Sequence, residues 1–414
     1  MIWNWQTEDW PHWQYNTNTL AEYEQQFLVQ AGQLMGAWQH ISTKNQTDIK
    51  VQLLSDEALK TSAIEGEYLD RSSVQSSIQH AFGLSSKPTP KRPNEDGIAQ
   101  LMTDCYQNFS APLTQDMLYQ WHELVCQTHT DLNFIGTYRQ HPTPMQVVSG
   151  PINKRKVHFE APPAEKIHQE MDDFIQWYQT KTIPALAKAG LAHLYFVSIH
   201  PFEDGNGRIS RALAEKSLSQ SLGQPTLLAL SHQISIERKQ YYQSLADNNQ
   251  QMEVTPWITW FAQTVLKAQK YSLALIEHTI RKTQLFDRLA DTLNPRQTKV
   301  LLRMFASGPD GFEGGLSSKN YQKIADSTTA TTTRDLRDLV AKGALTKTGV
   351  NRGTRYWLVS KRKQSWQQWE NDLPTLQLST QNQTDLDKAL GSENSNQNFS
   401  VDQIMQMTDP QTDV

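Results

Sequence analysis

The chain has 414 residues, more than one ordinary core accommodates, so two or three domains are expected. Hydrophobic residues make up 37% of it and mean hydropathy is −0.62, and no apolar run reaches the roughly 18 residues needed to cross a bilayer, so no membrane role is expected. A net charge of −4 excludes nucleic-acid binding by the chain as a whole and leaves only a local basic patch to do it. Met1 to Gln6 show neither a basic start nor an apolar stretch, so no secretory signal is expected. The two cysteines, Cys105 and Cys126, supply neither a disulfide framework nor a cysteine-based zinc site, which fits a reducing cytoplasm.

An aromatic cluster, Trp3, Trp5, Trp10, Trp13 and Tyr15, opens the chain and reads as a satellite core or helix-docking surface. From Thr19 to Leu69 apolar residues recur at helical spacing, among them Leu20, Tyr23, Phe27 and Leu28. Residues 83–96 carry three prolines among polar groups and read as a loop. Residues 97–130 look helical again. Two β-prone runs, Gln146 to Gly150 and Lys156 to Glu160, flank Gly150-Pro151 and predict a hairpin. Lys154, Arg155 and Lys156 near its tip read as a solvated turn or a steering patch for an acidic partner. Helices are predicted over about 164–180, 185–200, 206–222, 235–248 and 255–290, the last opened by Thr255-Pro256.

Character changes at Asn294-Pro295. An amphipathic helix over 295–306, a second over 317–325, a third capped near Ser327 to Ala330, and two strands around Gly349 to Gly353 follow. Three helices and a hairpin resemble a winged helix-turn-helix. Between Asn294 and Val359 there are 11 Lys plus Arg against 5 Asp plus Glu, so this unit is locally basic. It is expected either to bind DNA, through Thr331, Thr332, Arg334, Arg337, Arg352 and Arg355, or to dock a protein or a second copy of the chain. Residues 375–414 are rich in Gln, Asn, Ser, Thr and Asp and are expected to be disordered, with a weak helical spacing at Val401, Ile404 and Met405.

The densest chemistry lies in His200 to Arg211, which reads His-Pro-Phe-Glu-Asp-Gly-Asn-Gly-Arg-Ile-Ser-Arg. A helix N-terminus presents unpaired N–H groups and the positive end of its dipole, and so attracts anions. Gly205 and Gly207 let backbone approach a phosphate, and Asn206 offers a side-chain amide donor. Arg208 and Arg211 lie three apart and can fork onto phosphate oxygens. Asp204 is a hard ligand suited to Mg²⁺, and His200 is a candidate base.

This run resembles the Fic family signature, His-x-Phe-x-(Asp/Glu)-Gly-Asn-Gly-Arg-x-x-Arg, at all eight fixed positions. The resemblance implies a mainly α fold: a helical Fic core with a β-hairpin flap, followed here by the winged helix-turn-helix. It also implies transfer of AMP from ATP to a hydroxyl of a target protein. His200 would be the base, Asp204 the Mg²⁺ ligand, Gly205, Asn206 and Gly207 the anion hole, and Arg208 and Arg211 the holders of the outer phosphates. Val157, His158 and Phe159 would belong to the flap that docks a target strand, and Tyr138-Arg139 before it resembles the family as well. Tyr241 and Tyr242 fall where the family builds part of the base pocket. Thr61-Ser62-Ala63-Ile64-Glu65-Gly66 resembles the inhibitory motif (Ser/Thr)-x-x-x-Glu-(Gly/Asn); Glu65 would pair with Arg211 and block the γ-phosphate, with Thr61 helping to seat the segment. The expected domains are 1–95, 96–290, 294–360 and the tail 375–414. Open alternatives are a DNA-binding regulator with the core as a sensor, another nucleotide donor, or removal of AMP.

Overall fold

Side-chain caps start the N-terminal helices where the sequence provides them. Asn16 accepts from the Thr19 N–H to open α1 (Thr17–Gln39), and Ser42 accepts from Asn45 to open α2 (Thr43–Ile64). In the computed structural model, which describes residues 2–84, 92–149, 156–309, 311–312 and 314–359, 65% of the chain is helical, as the mainly α expectation requires. The chain divides into two compact units, Met1–Ser272 and a second from Leu273 onward.

In the first unit, α3 (Arg71–Ala81), α4 (Pro93–Gln107) and α5 (Gln115–Cys126) follow. The stretch 19–69, read as one helical pattern, is broken at His40–Ser42. The stretch 97–130 is likewise two helices, because Pro112 lacks the N–H a continuous helix needs. Strands β1 (Gln146–Ser149) and β2 (Lys156–Glu160) pair antiparallel, Val147 opposite Phe159 and Val148 opposite Val157, with a bulge between the two valines. Then come α6 (Ile167–Thr180), α7 (Ala185–Ile199), α8 (Asn206–Leu222), α9 (Leu230–Ile236), α10 (Arg238–Asp247) and α11 (Thr255–Leu289). The segment 235–248 is therefore not one helix: α9 and α10 meet at Glu237.

Helices α7 and α8 pack together and are buried almost all round, so each has cover on more than one side. One core places Trp121, Phe174, Tyr195, Phe196 and Phe202 on one side. A second places Phe27, Leu186, Leu194, Leu218, Trp257 and Phe261 on the other. The opening aromatics do both things expected of them. Trp10 and Trp13 pack edge-on against Tyr195, at 5.1 and 5.0 Å between centroids, while Trp3 meets Phe159 of β2 in a small satellite cluster.

In the second unit, Asn294 and Gln297 close a reciprocal capping box on α12 (Pro295–Phe305). Helices α13 (Ser318–Ala325) and α14 (Thr329–Ala341) precede strands β3 (Leu345–Thr348) and β4 (Arg355–Leu358), which pair antiparallel. Val300, Leu301, Tyr321, Leu336 and Leu339 fill the core between them. Among the described residues no helix is long and apolar enough to cross a membrane. The hairpin turn at Gly150-Pro151, the Lys154 and Arg155 patch, part of the 83–96 loop and the tail 375–414 lie outside the described residues.

Candidate active site

His200 ends α7 in the left-handed region, φ 51°, an unusual place for a residue with a Cβ. Arg139 holds it there. Its Nε donates to the His200 carbonyl at 2.8 Å, its Nη2 to the Pro162 carbonyl at 2.6 Å, and its backbone N–H to the Pro201 carbonyl at 2.9 Å. Burial pulls the Arg139 pKa down to about 10, which still leaves it charged. Burial, then the Arg139 charge, lowers His200 to about 4, so the ring is neutral near pH 7. With its proton on Nδ1, facing the Val197 carbonyl at 3.3 Å, the Nε2 lone pair is the basic position.

Six residues later α8 begins. Gly205, φ 79°, is its N-cap, and a Cβ there would stand 3.1 Å from Val125 and 3.2 Å from the Cys126 sulfur. Asp204 Oδ1 accepts from Gly205 N–H at 2.6 Å; its carboxylate is nearly half exposed at 45%. The Asn206 amide is not free for a ligand. It accepts from Phe202 N–H at 3.0 Å and donates to the Phe202 carbonyl at 2.8 Å, which pins the loop closed and leaves anion contact to the backbone N–H groups.

Both motif arginines are buried and both are already paired. Arg211 Nη1 lies 2.7 Å from Glu65 Oε1, while its Nε donates to the Thr61 hydroxyl at 2.7 Å and its Nη2 to the Thr61 carbonyl at 2.9 Å. Burial works against the Arg211 charge, but the Glu65 carboxylate and the Tyr241 and Tyr242 hydroxyls outweigh it and hold the pKa above its ordinary value. Glu65 Oε1 sits so close over Gly207 that a Cβ on that residue would collide with it. Tyr242 completes the seat, its hydroxyl donating to Glu65 Oε2 at 3.2 Å and to the Ile64 carbonyl at 3.1 Å. Arg208 Nη1 meets Glu67 at 3.0 Å and the Val125 carbonyl at 3.0 Å, and its Nη2 meets Asp204 at 3.3 Å. A carboxylate thus rests on the first turn of α8, over Gly207 and against the Arg211 guanidinium.

His200, Asp204, Gly205, Gly207, Arg208, Arg211, Thr61 and Glu65 come together around this point. Tyr241 lies behind them: it is buried, its hydroxyl meets His193 Nε2 at 3.1 Å and also bonds Arg211, while Tyr242 reaches the Glu65 carboxylate itself. On the hairpin, the carbonyls of His158 and Glu160 are held by Asn249 at 2.8 Å and by the Trp5 indole at 2.6 Å, while Val147 and Val148 of β1 are exposed. Glu67 and Asn249 were not singled out in the sequence; nothing short-range marks them, since Glu67 lies 141 residues from the arginine it holds.

The turn lies inside a recognised domain: residues 112–218 match the model of the Fic/DOC family, so the chain carries a Fic domain. Residues 3–84 match a second model, described as a domain of unknown function, DUF4172. The chain is 33% identical over 84 residues to the protein adenylyltransferase fic-1 of Caenorhabditis elegans, covering 20% of this chain and 16% of that protein. It is 29% identical over 147 residues to the protein adenylyltransferase Fic of Drosophila mojavensis, covering 36% and 28%. The chain therefore spans less than a third of the length of these relatives. A crystal structure of a Fic family protein from Desulfovibrio desulfuricans G20 aligns over 83% of this chain and 97% of its own, at 19% identity and a TM-score of 0.48.

Proposed function

We propose that this chain is an autoinhibited protein adenylyltransferase, which moves AMP from ATP to a side-chain hydroxyl of a target protein and releases pyrophosphate. The observation that carries the reading is the Glu65 carboxylate resting on Gly207 and Arg211, a negative group seated where an anionic substrate would bind. A buried guanidinium that loses its partner costs about 3–5 kcal/mol, so Arg211 without Glu65 strongly favours a replacement anion. The outer phosphates of ATP are that replacement.

The chemistry follows from the same geometry. His200 Nε2 takes the proton from the incoming hydroxyl, whose oxygen forms a bond to the α-phosphorus. The bond from that phosphorus to the bridging oxygen breaks, and pyrophosphate leaves. The N–H groups at the start of α8, with Arg208 and Arg211, stabilise the charge that develops. Mg²⁺ suits Asp204, since that ion takes one or two carboxylates and borrows the rest of its shell from phosphates and water; bound there, it supplies charge neutralisation. Arg139 keeps His200 oriented throughout. A target segment would dock along the hairpin, where β1 offers exposed Val147 and Val148.

The test is incubation of full-length variants with ATP labelled on the α-phosphate. Glu65→Gly raises self-labelling well above the wild-type level, and adding His200→Ala to that variant abolishes it. Equal label on the wild type and the Glu65→Gly protein, or label that survives loss of His200, defeats the reading.

A further inference from the structure

Cysteine count alone gives no zinc site, yet the fold brings three ligands of mixed type together. Cys126 closes α5, His129 lies three residues on in the turn that follows, and Asp204 arrives from the loop before α8. One ligand atom from each, Sγ, a ring nitrogen and a carboxylate oxygen, lies within 4.8 Å of the other two. His129 Nδ1 stands 3.3 Å from Asp204 Oδ2. Tetrahedral zinc, with bonds of about 2.3 Å to sulfur and about 2.0–2.2 Å to nitrogen or oxygen, separates its ligands by about 3.3–3.7 Å.

We propose that Cys126, His129 and Asp204 form an inhibitory site for a thiophilic divalent ion such as Zn²⁺. Cys126 is buried and supplies the inner ligand, directly beneath Gly205, while His129 and Asp204 are partly exposed and leave the fourth position open to water or phosphate. In the ion-bound state, with the thiol proton displaced, the thiolate, Asp204 and Glu67 against Arg208 leave two negative charges, which a divalent ion offsets. Arg208 is anchored on Glu67 and the Val125 carbonyl, so it need not move far when the ion replaces it on Asp204. Binding releases the thiol proton to solvent and breaks no other bond. The regulatory half rests on the adenylyl-transfer reading: an ion held here takes Asp204 from Mg²⁺ bound to nucleotide. A carboxylate alone favours Mg²⁺ and a thiolate favours zinc, so the same aspartate serves two metals of different softness.

Metal-free full-length protein titrated with Co²⁺ reports binding without nucleotide. We expect one equivalent to give a thiolate-to-cobalt charge-transfer band with the strong ligand-field bands of tetrahedral cobalt, and Zn²⁺ to erase them at one equivalent. Cys126→Ser removes the charge-transfer band, and His129→Gln, a change in a partly exposed turn, weakens binding at least about tenfold. In the Glu65→Gly background, one equivalent of Zn²⁺ suppresses self-labelling at fixed Mg²⁺, and His129→Gln relieves that suppression. A cobalt spectrum with no thiolate band, or one that persists in Cys126→Ser, overturns the site. Binding that leaves labelling untouched overturns the inhibitory role. Should Glu65→Gly carry no label at all, the cobalt titration still decides the site by itself.

Discussion

Glu24 is a carboxylate that folding buries under the first turn of α7. Its Oε1 accepts from the Leu186 and Ala187 N–H groups at 2.7 and 3.2 Å, serving as the cap that Pro184 cannot supply, while its Oε2 has no partner. Burial outweighs these bonds and raises its pKa to about 7, from 4.5 in the free side chain. A raised pKa means the folded form binds the proton more tightly. The stabilisation is therefore complete below about pH 4.5 and is lost as pH rises through about 7. Glu24→Gln keeps an acceptor toward both N–H groups and places a neutral amide where Oε2 was. It should stabilise the protein by about 2 kcal/mol at pH 8 and leave it nearly unchanged at pH 4. Denaturant melts at the two pH values check this; an equal effect at both, or destabilisation at pH 8, contradicts it. The same logic makes His200 a neutral base across the working range. Its depressed pKa limits its basicity, so its contribution rests on position more than on proton affinity.

The end of α2 acts as a positioning device. Gly66, φ 91°, takes the left-handed position after the Glu65 C-cap, its N–H donates to the Ala63 carbonyl at 3.1 Å, and the Glu67 N–H returns to Ser62 at 3.0 Å. One turn thereby sends Glu65 to Arg211 and Glu67 to Arg208. A Cβ on Gly66 meets nothing within 4 Å, so Gly66→Ala perturbs backbone alone. An L-residue there costs about 1–2 kcal/mol, which corresponds to about a five- to thirtyfold shift toward the unseated form. Self-labelling of Gly66→Ala should rise by about that factor and stay below that of Glu65→Gly, with the circular dichroism spectrum unchanged. No rise would mean that the turn does not seat the carboxylate. The elements themselves were largely legible in the sequence: α8 runs over the predicted 206–222, because Gly-Asn-Gly-Arg gives an unmistakable start and Gly223 an unmistakable stop. Boundaries failed where helices of similar composition follow one another, at His40–Ser42 and at Glu237, since periodicity cannot register a break that keeps the apolar face in phase. The site was legible as a motif, and Glu65 as the partner of Arg211. Glu67 and Glu24 were not, and Arg139 was noted only by resemblance without its hold on His200, because each acts on a partner far along the chain and no local pattern reports such a pairing.

At the level of the whole chain, an acidic protein carries one basic unit, and its charges are sorted rather than mixed. On α14, Asp335 is buried and bound by Arg296 at 2.9 Å, Asn294 at 3.0 Å and the Tyr321 hydroxyl at 3.0 Å, and Asp338 is held by Lys342 and Gln297. Arg334 and Arg337 are left exposed on the same helix, and Arg352 is exposed between β3 and β4. Thr332 does not belong to that surface: it is buried, with its hydroxyl 2.9 Å from that of Ser327. Duplex DNA is the partner we propose for this unit, read as a winged helix-turn-helix, because neutralised acids behind outward arginines favour a phosphate backbone over a mixed protein surface. Full-length protein should shift duplex DNA at low salt, with an affinity that falls linearly on a log–log plot against salt. Arg334→Ala and Arg337→Ala should each flatten that slope by about one unit, since each phosphate contact releases roughly one counterion. His200→Ala should leave the slope unchanged, which separates this surface from the transfer site. Failure to bind any duplex at low salt, or a slope indifferent to both arginines, would assign the unit to protein docking instead.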